Sequence, residues 1–173
     1  MKWNVAQLLK SAVGTDREYT VEDERHPSTE IASPVQGTVR LMRTDSGILA
    51  MGHFQTAVWY TCSRCVDRSS QDIEFELDEE FTPSVDIDNG GRIQPRDDGG
   101  FTLTDMHELD LAEPVRQYAI LELSLNPLCS PSCRGLCSQC GANLNTTDCG
   151  CDVTKADPRW DGLEALRIKL SAN

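Results

Sequence analysis

The chain has 173 residues, of which 39% are hydrophobic, and its formal net charge is −12 at pH 7. This length suits one domain of ordinary size, or one domain with a small appendage. No apolar run approaches the roughly 20 residues that a membrane helix needs, and the acidic balance excludes a uniformly basic RNA-binding face.

The acidic excess lies in the middle of the chain. Residues 67–113 contain fifteen acidic residues and only three arginines, whereas residues 1–66 carry seven of each sign and residues 114–173 carry six of each. This distribution leaves room for a small basic patch elsewhere, or for a basic protein as the direct partner.

The N-terminal residues 1–19 contain no continuous apolar stretch and no small-residue cleavage pattern. We therefore expect a cytoplasmic protein that starts without a signal peptide and whose thiols stay reduced. Val5, Leu8 and Leu9 lie at helical spacing and predict a short amphipathic helix.

Three runs with the alternating pattern of β-strands follow, over residues 34–44, 48–62 and 72–81. Turn residues TDSG (44–47) separate the first two runs. The pattern predicts an α+β fold, built from an antiparallel β-meander or a partly open barrel with flanking helices. The turn that contains Cys62 and Cys65 would join the second strand to the third.

The rest of the chain predicts one loop and two helices. Residues 82–100 are rich in Asp, Gly and Pro and predict a mobile acidic loop, for which a solvated linker is the simplest interpretation. Residues 105–127 predict a helix with Pro114 near its start. Residues 157–170 open with Asp-Pro and continue with apolar residues at helical spacing, which predicts a C-terminal helix.

The chain also contains eight cysteines. They are Cys62, Cys65, Cys129, Cys133, Cys137, Cys140, Cys149 and Cys151. The C-x₂-C spacing places two thiolates across a tight turn at the separation of a tetrahedral zinc edge. Eight thiolates make two complete sets of four, so we predict one or two structural zinc ions in closed sites without an open position for catalysis. We expect a core domain over residues 1–125 and a zinc-binding tail with the last helix over residues 126–173.

Three groupings of the cysteines are open. We favour a local set of the last four, which leaves the first four as the second set. The main alternative is one compact site made of Cys129, Cys133, Cys137 and Cys140, and the third combines the two C-x₂-C pairs. Disulfides are rare in reducing compartments, and a redox-active C-x-x-C pair belongs at a strand-to-helix junction rather than between two strands or in a loop.

No residues point to catalysis. The three histidines have no motif context, and the strand acids Glu74, Glu76 and Asp78 are typical of a solvated sheet face. We therefore predict that the protein is not an enzyme and has no small-molecule substrate and no membrane partner.

Three motifs in this order resemble the YceD family, the large ribosomal RNA subunit accumulation proteins. They are TCSRC at 61–65, LNPLCSPSCRGLCSQCGANLN at 125–145 and DPRWDGLEAL at 157–166. The resemblance covers about residues 48–170. It implies a non-catalytic role in accumulation of large-subunit ribosomal RNA, through processing or early assembly of the large subunit. The family cysteines map onto the first six cysteines here, while Cys149 and Cys151 lie in a tail that only some members have.

A chain of this charge is an unusual direct ligand for RNA, because affinity for RNA rests on neutralising phosphates. In one mechanism, the acidic residues 67–113 shield a basic large-subunit ribosomal protein. In the other, the locally neutral tail contacts the ribosomal RNA precursor through Arg134, Arg159, Arg167 and Lys169. A thiol-redox or metal-sensing protein, and an interaction scaffold unrelated to ribosomes, are the alternative functions.

Overall fold

The computed structural model of the chain describes residues 1–23, 28–94 and 99–152. Within these residues it contains seven strands and two helices. In chain order they are β1 Lys2–Asn4, α1 Ala6–Leu9, β2 Asp16–Asp23, β3 Val35–Arg43, β4 Ile48–Thr61, β5 Arg68–Thr82, β6 Phe101–Thr102, β7 Glu108–Asp110 and α2 Ala112–Leu121. The described chain is therefore mostly β-sheet with few helices.

The larger sheet has five strands in the order β2-β3-β4-β5-β6, and the smaller one pairs β1 with β7. Neighbouring strands from β2 to β5 are antiparallel, and β6 runs parallel to the end of β5. The sheet is open and does not close into a barrel, where the sequence predicted a β-meander or a partly open barrel.

The long β4–β5 hairpin dominates the sheet. Its register runs without interruption from Ile48 opposite Phe81 to Thr61 opposite Arg68. Because side chains alternate across a strand, Phe54 of β4 and Phe75 of β5 are buried on one face, and their ring centroids are 5.7 Å apart. The other face of β5 is polar, whereas that of β4 mixes polar side chains with Leu49, Met51, Ala57 and Trp59, so β5 is the more clearly amphipathic strand of the hairpin.

Helix α2 contributes the second layer of the core. Its residues Val115 and Ala119 are 0% exposed. Tyr118 stacks beside Phe75, with ring centroids 6.4 Å apart, and its hydroxyl donates to the carboxylate of Glu79 at 2.9 Å. Burial and this hydrogen bond raise the pKa of Tyr118. Burying apolar side chains of this size stabilises the fold by roughly 1.5–3 kcal/mol each.

Several predicted boundaries were wrong. The helix expected over 105–127 spans only Ala112–Leu121, because Glu108–Asp110 forms a strand with Lys2–Asn4 instead. The N-terminal helix α1 is also short, since it contains only the four residues Ala6–Leu9. Strand β2 has no counterpart in the prediction; it is a mostly exposed edge strand, so its residues lack a strong apolar alternation. The predicted helix at 157–170 lies outside the described residues.

The acidic segment predicted as a mobile loop contains local hydrogen bonds. The Asp86 carboxylate accepts from the backbone N–H groups of Asp88 and Asn89 at 2.9 and 3.1 Å, and these bonds lower its pKa. Val85 forms an antiparallel bridge with Arg92. Residues 84–93 therefore form a bonded turn, while residues 95–98 lie outside the described residues.

The chain divides into two compact units. The first contains Met1–Cys62 and Asp67–Cys129, and the second contains Ser63–Val66 and the chain from Ser130 onward. The first unit holds both sheets, both helices and the hydrophobic core. Within the described residues, neither helix has the length and apolar character needed to cross a bilayer.

Candidate metal centres

The eight cysteines are present as thiols and fall into two groups of four. Cys62, Cys65, Cys129 and Cys133 form the first cluster, and Cys137, Cys140, Cys149 and Cys151 form the second. Within each cluster all sulfur atoms lie within 4.8 Å of one another. This is the grouping that we favoured from the sequence, and among the described residues the cysteines form neither alternative grouping.

The β4–β5 hairpin positions the first two sulfurs. Its turn is closed by the N–H of Cys62, which donates to the carbonyl of Asp67 at 2.9 Å. Val66 takes the left-handed conformation, with φ 63°, which reverses the chain. Cys62 and Cys65 are 1% and 2% exposed, so the turn of the hairpin holds a pair of buried thiols.

The other half of this cluster follows helix α2. Cys129 is exposed, whereas Cys133 is 5% exposed and its N–H donates to the carbonyl of Ser130 at 3.0 Å. The side-chain amide of Asn145 donates to the sulfur of Cys133 at 3.3 Å. A donor aimed at sulfur favours the thiolate, the form that binds metal.

The second cluster is built around a tight turn from Cys137 to Gly141. The N–H of Gly141 donates to the carbonyl of Cys137 at 2.9 Å, and the N–H of Gln139 points at the Cys137 sulfur at 3.4 Å. Gly141 has φ 74°, a conformation that glycine adopts at little cost. The N–H of Cys137 in turn donates to the carbonyl of Ala142 at 2.8 Å, which folds the turn back on itself.

The thiols of the second cluster differ in acidity. Backbone N–H groups, that of Cys140 first and that of Gln139 next, lower the pKa of Cys137 to about 6. Hydrogen bonds with the thiols of Cys140 and then Cys149 raise the pKa of Cys151 to about 12. The sulfur of Cys137 is therefore favoured as a thiolate. Ionisation of a further thiol in the cluster, such as that of Cys151, would place a second negative charge beside the first, and the two charges would repel. A bound cation would remove that repulsion.

The donors and spacing fit a tetrahedral ion. A zinc ion with four Zn–S bonds of about 2.3 Å places its sulfurs about 3.8 Å apart, and the sulfurs of each cluster, which all lie within 4.8 Å of one another, are compatible with that spacing. Soft thiolate ligands favour zinc, copper(I) or iron–sulfur centres over magnesium and calcium. Both clusters could therefore hold a metal ion, and each would fill its coordination sphere with protein ligands.

Two contributors to the first cluster's surroundings escaped the sequence analysis. Arg64 donates from its guanidinium to the carbonyl of Cys133 at 3.1 Å, and its own carbonyl accepts from the N–H of Leu136 at 3.2 Å. Asn145 also accepts from the N–H of Arg134 at 2.8 Å. The Asn-rich stretch after the second C-x₂-C pair was the available signal, since asparagine often bonds to nearby backbone.

The basic residues proposed as RNA contacts are only partly described. Arg134 is exposed, while Arg159, Arg167 and Lys169 lie outside the described residues. His53 is exposed on the sheet and its ring Nε2 lies 2.6 Å from the Glu74 carboxylate, as in a solvated surface pair.

Comparisons with known proteins agree with the sequence motifs. The family described as "Large ribosomal RNA subunit accumulation protein YceD" matches residues 50–167. A protein of Arabidopsis thaliana named "Large ribosomal RNA subunit accumulation protein YCED homolog 1, chloroplastic" is 27% identical over 96% of this chain and 57% of its own length. The Zea mays protein of the same name is 31% identical over 69% of this chain and 49% of its own.

An uncharacterized protein of Mycobacterium bovis is 29% identical over 72% of this chain and 58% of its own length. The chain thus spans about half the length of the curated relatives it matches. No solved structure gives a significant match.

Proposed function

Because the chain belongs to the YceD family, we propose that it is a non-catalytic factor for accumulation of large-subunit ribosomal RNA and assembly of the large ribosomal subunit, stabilised by structural zinc. The family match over residues 50–167 is the observation that carries this proposal. It includes all eight cysteines, so the region that the family shares is also the region that contains both candidate metal centres.

Two features support a structural role for the metal. Each cluster supplies four sulfurs, and a zinc ion with four protein ligands has no open position for water or substrate. The two buried cysteines of the hairpin turn, Cys62 and Cys65, continue directly from the longest strand pair of the fold. Zinc at such positions contributes to folding, because the ligands come together only in the folded chain.

The direct partner that the charges favour is a basic protein rather than RNA. Residues 67–113 hold fifteen acidic residues against three arginines, and phosphate contacts would require the opposite sign. A basic ribosomal protein shielded by this segment until it meets RNA would explain how an acidic factor raises the amount of large-subunit RNA. Contact of the RNA precursor with Arg134 and the basic residues that follow it is the competing version.

The function is tested by depleting the protein in its own host. We expect the ratio of large- to small-subunit ribosomal RNA to fall and unprocessed large-subunit precursor to accumulate, with recovery when the wild-type gene is restored. An unchanged ratio would refute the ribosomal role and favour an interaction scaffold unrelated to ribosomes.

The zinc is tested by elemental analysis of the full chain purified without chelator. We expect two zinc ions per chain, and one after the double substitution Cys137→Ser/Cys140→Ser, with Ser138→Ala as the control that keeps both. Absence of zinc, together with rapid alkylation of a cysteine at neutral pH, would favour the thiol-redox or metal-sensing alternative.

A further inference from the structure

In the part of the chain that the structure describes, most of the outer edge of strand β5 has no strand beside it. β5 runs from Arg68 to Thr82 and pairs with β4 throughout, but β6 pairs only with Phe81 and Thr82. Among the described residues, no strand lies against the edge from Ser70 to Glu76. An open edge presents a row of unpaired backbone N–H and C=O groups, and a further strand can add there.

The hydrogen bonds show which residues of β5 present their backbone to this edge. The carbonyl of Thr82 accepts from the N–H of Leu103, which directly follows β6 and so lies on the side of β5 away from β4. The direction of the backbone N–H and C=O groups alternates from residue to residue along an antiparallel strand. The even-numbered residues of β5 therefore all direct these groups away from β4, toward the open edge.

The neighbouring strand agrees with this assignment. Ala57 and Trp59 of β4 form backbone bonds with Ala32 and Glu30, on the side away from β5. The backbone N–H and C=O groups of the odd-numbered residues of β4 therefore point away from β5. Those of its even-numbered residues point toward β5 and bond to the odd-numbered residues of β5. The uninterrupted register leaves no bulge that would reverse this alternation.

Four consecutive outward positions are thus available, at Ser70, Asp72, Glu74 and Glu76. All four residues are exposed, and the described residues offer no hydrogen-bond partner for their outward N–H and C=O groups. The same residues carry their side chains on the solvent face of the sheet, because that face contains the even-numbered residues of β5. Three of the four side chains are carboxylates, so the open edge is also acidic.

We propose that this edge of β5 accepts an extended segment of a basic protein as an additional β-strand, with lysine or arginine at alternate positions opposite Asp72, Glu74 and Glu76. The proposal rests on the proposed function, because it identifies how the basic ribosomal partner would be held. Main-chain hydrogen bonds would supply affinity, and the carboxylates would select the partner.

The charges argue against a second copy of this chain as the occupant. Pairing of two β5 edges would bring carboxylates opposite carboxylates, and like charges directly opposite each other destabilise a strand pair. The acids therefore discourage self-association of an exposed edge while admitting a strand of opposite sign. A groove of about 490 Å³ beside Asp72 and Glu74, lined also by Gln36 and Gln55, offers space for a long basic side chain.

The test is amide hydrogen exchange of the full chain, followed by NMR, with and without a peptide of about ten alternating lysines and valines, a length typical of a strand. We expect the peptide to protect the amides of Ser70, Asp72, Glu74 and Glu76. The intervening odd-numbered amides, already bonded to β4, should change little. Uniform protection, or binding without protection, would overturn strand addition. Protection of the four amides in the free chain would also overturn it, since a second copy or another part of the chain would then cover the edge.

Matched controls separate the backbone from the charges. The same peptide with methyl groups on the backbone nitrogens of one edge keeps its charge and should not protect the amides. The substitution pair Asp72→Asn/Glu76→Gln should weaken binding roughly 2- to 30-fold, whereas Asp45→Asn/Glu122→Gln, which makes the same change in net charge elsewhere, should not. Equal weakening by both pairs would refute a specific edge.

Failure of this inference is distinguishable from failure of the proposed function. If depletion lowers large-subunit RNA but the Asp72→Asn/Glu76→Gln variant restores it fully and the peptide protects no amide, the ribosomal role stands and the edge is not the docking site. If depletion leaves large-subunit RNA unchanged, the ribosomal role fails whatever the peptide does.

Discussion

Replacing Gly141 by alanine isolates the backbone strain of the second metal centre. Gly141 has φ 74°, and a Cβ built there meets no atom within 4 Å. The substitution therefore adds no steric clash and costs only the left-handed conformation, about 1–2 kcal/mol for a residue other than glycine. If the turn from Cys137 to Gly141 becomes ordered when the metal binds, the whole of this cost falls on metal binding.

A cost of that size weakens zinc binding at the second cluster roughly 5- to 30-fold, because each 1.4 kcal/mol is a factor of ten. Competition with a chromophoric zinc chelator at neutral pH measures the change. Gly141→Asn should lose less affinity than Gly141→Ala, since asparagine tolerates the left-handed region better.

Gly90→Ala is the matched control. Gly90 has φ 70°, and the Cβ that alanine would add there also meets no atom within 4 Å, but this glycine lies in the acidic turn and not beside a cysteine. The substitution should leave zinc affinity unchanged. Unchanged zinc affinity in Gly141→Ala, with a lower free energy of unfolding of the metal-free chain, would refute the reasoning, because the turn would then be formed before the metal binds.

Three further predictions concern the core, the helix and the metal. Phe54→Ala should lower the free energy of unfolding by about 3–5 kcal/mol, because Phe54 is 0% exposed; Met106→Ala, at a side chain 74% exposed, should change it by less than about 0.5 kcal/mol in denaturant titrations. Hydrogen bonds from Arg116 and then Gln117 lower the pKa of Glu113 to about 2. Its stabilisation is present above the ordinary carboxyl pKa and is lost as pH falls through about 2, so Glu113→Gln should cost at most about 1 kcal/mol at pH 7 and nothing below pH 2; equal loss at both pH values would contradict the ion pair. Chelation of zinc should speed exchange of the Gly141 amide, and an unchanged rate would show that metal does not order the turn.

The local pattern of the sequence was sufficient for the long strands and for the cysteine-bearing turn between two of them. Strands β3 and β5 follow the alternation of apolar and polar residues, because one face of each is buried and the other is wet, while β4 was predicted from its richness in β-forming residues. The grouping of the last four cysteines also follows from proximity along the chain.

The local pattern of the sequence could not predict pairings between segments that are distant along the chain. Strand β1 exists because β7 lies beside it, and three residues without an apolar alternation carry no signal of their own. Strand β2 is an edge strand whose exposed side chains conceal its pairing with β3. Helix α2 begins only at Ala112 because the residues before it form strand β7, which pairs with β1.

The sequence by itself therefore determined the β-rich core, the eight cysteines at metal-ligand spacing and the acidic middle segment, because these depend on residue type and short spacing. Only the tertiary structure decided which sulfurs meet across a long separation, since Cys62 and Cys129 are brought together by the folding of everything between them. It alone also decided that β5 has an open edge among the described residues, because a neighbouring strand is a property of the sheet and not of the strand.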